Sequence, residues 1–259
     1  RKKAEEALQK SEKEYRQLVE TLSEGIWRID KEGYSTYVNP KMAEMLGYST
    51  KEMERKHFFN FMDNKAIPYA RKCLERRWQG IAEQLEFIFK KKNGEPVYTL
   101  LNTSPIYDDQ GIYIGALAGI TDISLRKKAE VSLKKSMEGS IKAMGAIAEM
   151  RDPYTSGHQE RVSQLAIRIA EELNLSPDRI EGIRIAAILH DIGKIGIPSE
   201  ILNKPGELNA IEYELIQNHP KESHRILKTI DFPYPVAEIV LQHHERLDGS
   251  GYPNHLKDK

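Results

Sequence analysis

Five histidines and one aspartate carry the strongest chemical signal in this chain: His158, His190, Asp191, His219, His243 and His244. Imidazole nitrogens and carboxylate oxygens are the usual ligands of first-row divalent cations. Lys194, three residues past Asp191, adds a positive charge that could neutralise a phosphate. Where the groups are not adjacent they stand 24 to 32 residues apart, room for a helix and a return loop, so they can converge in a helical bundle. Any one of them also reads as a core histidine satisfied by hydrogen bonds; that account strains when asked to cover six groups in about ninety residues. Adjacent residues on a helix project about 100° apart. His243 and His244 therefore suit two neighbouring cations, and Asp191 has two oxygens with which to bridge them. A pair of cations that activates water and neutralises phosphate is what a phosphoesterase requires.

The elements that must position these groups read as helices. From Met137 onward the apolar spacing is helical throughout. Val162, Leu165, Ile169 and Leu173 share a face, Ile180, Ile183 and Ala187 lead into His190-Asp191, Ile211 and Leu215 step by four to His219, and Val236, Ile239 and Val240 precede His243. Ligands that follow apolar faces are expected to point inward. Past the double histidine, Glu245 and Asp248 are weaker candidates for supporting the site and read equally as solvated loop carboxylates. Gly249 and Gly251 suggest a tight turn, and Arg161, one turn after His158, could reach a phosphate or pair with a surface acid.

The first half is organised differently. Residues 24–30 and 34–38 read as two strands around a Gly33 turn, Asn39-Pro40 opens a short helix that Gly47 ends, and residues 64–78 look helical. Three alternating runs follow at 82–91, 97–107 and 112–122, with turns at Asn93-Gly94 and Asp109-Gln110-Gly111. Flanking this module is a repeat: residues 1–11, RKKAEEALQKS, recur as RKKAEVSLKKS at 126–136. In the second copy Leu133, Met137, Ile141, Met144 and Ala148 make an apolar seam, which fits either a parallel dimeric linker helix or an amphipathic helix packed on its own domain.

Composition narrows the classes. Thirty-nine basic and thirty-nine acidic residues cancel, so no basic footprint points to nucleic acid polymer. Cys73 is the single cysteine, which excludes a disulfide framework and fits a reducing, cytoplasmic setting. No apolar run reaches membrane-spanning length, and the best, 183–189, contains Arg184. His57 is the lone histidine of the first half, and Cys73 stands in a charged helical stretch, so neither suggests a haem or flavin sensor.

Two resemblances organise these observations. Glu24-Gly25-Ile26-Trp27, Tyr37-Val38-Asn39-Pro40, Met45-Leu46-Gly47-Tyr48, Lys92-Asn93-Gly94-Glu95 and Gly119-Ile120-Thr121-Asp122-Ile123 together resemble a PAS domain. The resemblance implies an α+β fold with a five-stranded antiparallel sheet and a sensory or dimerising role, its ligand unknown. The segment Arg151-Asp152-Pro153-Tyr154-Thr155-Ser156-Gly157-His158, together with His190-Asp191-Ile192-Gly193-Lys194, Asn218-His219-Pro220, His243-His244-Glu245 and Gly251-Tyr252-Pro253, resembles the HD-GYP subgroup of the HD phosphohydrolases. That resemblance implies an all-α bundle that hydrolyses cyclic di-GMP to pGpG or GMP at a centre of two or three ions, commonly iron or manganese. It makes His158, His190, Asp191, His219, His243 and His244 the ligands, with Asp191 bridging. Lys194 would touch the scissile phosphate, and Gly251, Tyr252 and Pro253 would line the substrate pocket. Tyr154 stands where three-metal members carry a glutamate, so two ions are expected. The family's further aspartate ligand would fall beyond Lys259, implying a domain incomplete at its C-terminus, with weak or no activity in this stretch alone.

The chain is thus read as a multidomain signalling protein: a linker helix at 1–14 closing a preceding module, a PAS domain at 15–123, a helical linker at 124–150 and an HD-GYP domain at 151–259. A homodimer through the linker helices is expected. The alternatives are an HD hydrolase of another nucleotide, or a sensor and scaffold that binds cyclic di-GMP without turnover.

Overall fold

A computed structural model describes residues 2–151 and 157–257. The backbone separates into two compact units, Arg1–Ser132 and Leu133–Lys259. Among the described residues no helix is long and apolar enough to cross a membrane.

The first unit begins with helix α1 (Lys2–Thr21), followed by strands β1 (Gly25–Asp30) and β2 (Ser35–Val38). Helices α2 (Pro40–Leu46), α3 (Thr50–Met53) and α4 (Ile67–Trp78) come next, with short 3₁₀ turns at Phe58–Phe61 and Asn64–Ala66. Strands β3 (Glu83–Lys90), β4 (Pro96–Tyr107) and β5 (Tyr113–Asp122) complete an antiparallel sheet of order β2-β1-β5-β4-β3. This is the expected architecture, and the strands fall where alternation puts them. Leu85, Phe87 and Phe89 face the core from β3 while Glu86, Ile88 and Lys90 face out. Asn39 shows why the short helix starts where it does. It is fully buried; its Oδ1 accepts from Ile26 N (2.8 Å) and Met42 N (2.9 Å), and its Nδ2 donates to Val19 O and Glu24 O (both 3.0 Å). All four hydrogen-bonding positions of the amide are used. Gly47, at φ +74°, closes the helix in the left-handed region.

The core of this unit gathers Trp27, Met42, Leu46, Phe61, Phe89 and Ile120. Inside it lies an apolar cavity of about 60 Å³, far below the ~300–1,000 Å³ of ordinary ligand pockets. Cys73 is buried and accepts from Arg76 (3.2 Å), and His57 contacts Glu32 O (2.9 Å) and caps Phe59 N (3.2 Å).

The second unit is helical. Helix α5 (Ser124–Glu149) leads into it, followed by α6 (His158–Glu172), α7 (Pro177–Leu189), a 3₁₀ turn at Ile192–Gly196, α8 (Ser199–Leu202), α9 (Ala210–Gln217), α10 (His219–Leu227) and α11 (Val236–Leu241). Ile141, Ile185, Leu189, Leu227, Val236 and Val240 form its core. The seam read on α5 divides in two. Ile141 and Ala148 are buried and Met144 packs on the core, whereas Leu133 and Met137 stay exposed. The lower half of that helix therefore packs on its own domain. The shared apolar face read on α6 lies largely outside the core. Leu165, Ile169 and Leu173 are 63%, 52% and 65% exposed, while Gln159, Ser163 and Ala170 are buried. Periodicity located the helix and its apolar face, but packing of α6 on α7 uses the small residues.

Candidate metal centre

Three helices end at the site, and each ends in the same way. His190 follows α7, His219 follows α9, and His243 follows α11. In each case Nδ1 lies against the carbonyl three residues back: Ala187 at 2.8 Å, Ile216 at 2.7 Å and Val240 at 2.6 Å. A carbonyl can only accept, so Nδ1 carries the proton and Nε2 presents a lone pair. His243 and His244 sit in the turn after α11 instead of on a helix, so the 100° projection expected of them does not apply. Their rings lie 4.2 Å apart, and with His219 their ligand atoms fall within 4.8 Å of one another. His158, His190 and Asp191 make a second group with the same closeness.

Asp191 sits between the two groups. Its Oδ2 accepts from Lys194 Nζ at 2.7 Å and lies 3.2 Å from His190 Nε2; its Oδ1 lies 3.3 Å from His219 Nε2. Because His219 is protonated on Nδ1, that last contact sets lone pair against lone pair, and Oδ1 is buried with no hydrogen-bond partner. The same conflict recurs 3.2 Å away, between Nε2 of His219 and Nε2 of His243. Buried acceptors facing one another repel unless a cation lies among them. The donor set, the orphaned oxygen and the fixed tautomers all fit divalent metal.

The protonation states agree. Burial, reinforced by the neighbouring imidazoles, pushes His243 down to about 3, and burial likewise brings His244 to about 4, so both are neutral near pH 7 and could bind a cation. Burial opposes the charge on Asp191, yet the positive charge facing it from Lys194 helps hold it well below the usual carboxylate range. Burial also lowers His190, but the adjacent Asp191 outweighs it and the pKa is raised.

Two positioning features escaped the sequence reading. Ser223, fully buried on α10, accepts from Gly193 N (2.8 Å) and donates to His190 O (3.0 Å), fastening the His-Asp turn to the helix that starts at His219. Gly193 is required at this junction: a Cβ there would collide with the His219 carbonyl and Ser223. A serine at i+4 from a histidine has no distinctive signature, and only the close approach reveals it.

The loop after the double histidine is built by its own carboxylates. Glu245 accepts from Asn254 N (2.6 Å) and Leu256 N (2.9 Å), and Asp248 accepts from Ser250 N (2.9 Å) and Oγ (2.6 Å). Both shape the loop. Gly249 takes a left-handed turn at φ +79°, whereas Gly251 is needed for space, because a Cβ would strike the backbone of His244, Glu245 and Arg246. The loop lays Tyr252 on His244, ring centroids 4.6 Å apart and nearly parallel, and Tyr252 and Pro253 line an adjoining cleft. Arg161 is exposed on α6. Tyr154 and the rest of 152–156 lie outside the described residues.

Residues 142–259 match the family model described as HD domain, and residues 23–124 match the one described as PAS domain. The chain joins a PAS domain to an HD domain. A cyclic di-GMP phosphodiesterase of Thermotoga maritima is 47% identical over 121 residues, covering 46% of this chain and 33% of that protein. The 3'3'-cGAMP-specific phosphodiesterase 3 of Vibrio cholerae is 42% identical over 118 residues, 45% of this chain and 25% of that protein. The cyclic di-GMP phosphodiesterase response regulator RpfG of Xanthomonas campestris pv. campestris is 39% identical over 139 residues, 52% of this chain and 37% of that protein. The matched stretch thus spans between a quarter and two fifths of these relatives.

Proposed function

We propose that this chain is a metal-dependent phosphodiesterase that hydrolyses cyclic di-GMP to pGpG, and onward to GMP, under control of its PAS domain. The observation that carries this reading is the set of buried lone pairs around Asp191, which bound cations would reconcile. His158, His190 and Asp191 would hold one ion, His219, His243 and His244 a second, with Asp191 shared; iron or manganese suits this nitrogen and oxygen set. Bound there, the ions supply an activated water and neutralise phosphate charge. Lys194, now on Asp191 Oδ2, stands ready to hold a phosphate oxygen. Tyr252 fixes the His244 ring and borders the substrate cleft.

The PAS domain would act through α5, which supplies Ile141, Met144 and Ala148 to the HD core. Leu133 and Met137, exposed above them, would pair in a homodimer. Identity to 3'3'-cGAMP-specific enzymes favours a second reading, in which another cyclic dinucleotide is the main substrate.

The test is turnover of cyclic di-GMP by chelated protein before and after anaerobic reloading with ferrous iron or manganese. Metal-restored appearance of pGpG is the expected result. Full metal loading with no hydrolysis of any cyclic dinucleotide would overturn the proposal in favour of a binding and scaffold role.

A further inference from the structure

A cleft of about 430 Å³ runs between α9, the start of α10 and the Tyr252-Pro253 loop, a size that accommodates a small organic group. It adjoins the histidine cluster at two points. Asn218, on its wall, immediately precedes His219, and Tyr252 is stacked on His244. Its aliphatic wall is Ile211 and Leu215, which are 72% and 45% exposed and belong to neither hydrophobic core. Glu214, Gln217 and Lys221 line the same cleft, spaced so that they follow one helical face from α9 into α10. Among the described residues, the side chains of Glu214 and Gln217 have no hydrogen-bond or ion-pair partner.

An aromatic ring, an aliphatic wall, a carboxylate and an amide are what a site needs to hold a nucleobase by its faces and read it at its edge. The carboxylate decides which base. Glu214 at neutral pH can only accept hydrogen bonds. Guanine offers two neighbouring donors on its Watson–Crick edge, N1–H and the N2 amino group, which match two carboxylate oxygens. Adenine offers an acceptor, N1, beside its N6 amino donor, and so sets a lone pair against the carboxylate.

We propose that this cleft is the base subsite of the enzyme and that Glu214 selects guanine there. The proposal rests on the reading of the neighbouring cluster as a cyclic dinucleotide phosphodiesterase. A substrate whose phosphate sits at the cluster places its attached nucleoside beside α9, and one guanine suffices to satisfy the subsite. Cyclic di-AMP, with none, is rejected because the carboxylate is left unpaired.

The experiment compares kcat/KM of the manganese-loaded full chain and its Glu214→Gln and Glu214→Ala variants on three substrates: cyclic di-GMP, cyclic di-AMP and bis(p-nitrophenyl) phosphate, which has no base. Binding of cyclic di-GMP to chelated protein by equilibrium dialysis gives a readout independent of turnover. Glu214→Gln is expected to lose about 10- to 100-fold on cyclic di-GMP, mostly in KM, as for a lost hydrogen bond to a charged group. It should gain on cyclic di-AMP, because an amide presents a donor beside an acceptor. Glu214→Ala should lose the preference altogether, and both variants should keep bis(p-nitrophenyl) phosphate turnover. Unchanged preference in the variants, or an equal loss on the baseless substrate, would overturn the assignment while leaving the phosphodiesterase standing. Wild-type protein that cleaves the baseless substrate but neither dinucleotide would instead sink the cyclic dinucleotide reading, and the base subsite with it.

Discussion

The two domains differ in how their most buried polar side chains are paired. In the PAS domain the polar groups of the core are paired, with Tyr113 Oη at its edge left without a partner: Asn39 uses all four positions of its amide, Thr99 donates to Phe87 O (2.8 Å), and Trp27 donates to Ser35 (2.9 Å). The HD domain buries Asp191 and His219 and leaves lone pairs facing one another. A saturated network stabilises and specifies a fold. An unsatisfied one costs stability until something arrives to complete it, and that marks a site. What sets the HD domain apart is that its unpaired acceptors converge on one point, around Asp191.

The contrast can be tested, beginning with the change expected to do most. Asp191→Asn removes the charge shared by both groups. Turnover should fall by at least about 10³-fold, roughly 4 kcal/mol, and bound metal, measured by elemental analysis, should drop, while hydrogen exchange in the PAS domain is unaltered. Metal addition itself should stabilise the HD domain selectively. At a free concentration about 100 to 1,000 times Kd, the gain is about 3–4 kcal/mol. Equal stabilisation of both domains, read by domain-resolved hydrogen exchange, would contradict the contrast.

On the other side, Asn39→Ala strands one buried and three part-buried backbone groups and removes the α2 cap. A loss of about 2–4 kcal/mol is expected in the PAS domain, with metal content unchanged. Ser223→Ala tests a point where the HD domain behaves like the PAS domain. It unpairs Gly193 N and His190 O, and should cost about 1–3 kcal/mol and roughly tenfold in metal affinity.

The smallest effect is the pH response of chelated protein. His243 and His244 titrate near 3 and 4 when folded, against 6.5 ordinarily. The unfolded chain therefore binds more protons between those values, and HD stability should fall as pH drops from about 6.5 toward 4. Asp191, held low, adds a loss in the same direction below its ordinary 3.8; His190, held high, gives up its contribution as pH rises past 6.5. Urea denaturation across this range should show the fall, and a His243→Gln/His244→Gln protein should show a much flatter profile.

Much of this was legible in the residues because it is local. Asn39-Pro40 followed by Gly47 announces a capped short helix, and alternation over 82–91 announces β3, since both depend on contacts within a few residues. The α6 stripe shows the limit. Leu165, Ile169 and Leu173 are periodic, yet they lie outside, because which face is buried is decided by what α7 presents. The α5 seam failed to distinguish dimer from domain packing for the same reason: either partner accepts Ile141.

The sequence by itself determined which groups could bind metal and that helical segments would lead into them. Those are short-range consequences of chain geometry. Only the tertiary structure decided that their Nε2 atoms face each other across Asp191, that the ligands divide into two groups, that Ser223 and Gly193 clamp the His-Asp turn, and that Glu214 shares a cleft with Tyr252. These depend on how helices distant in sequence pack through aliphatic contacts, and such contacts are satisfied by many arrangements that the sequence pattern does not tell apart.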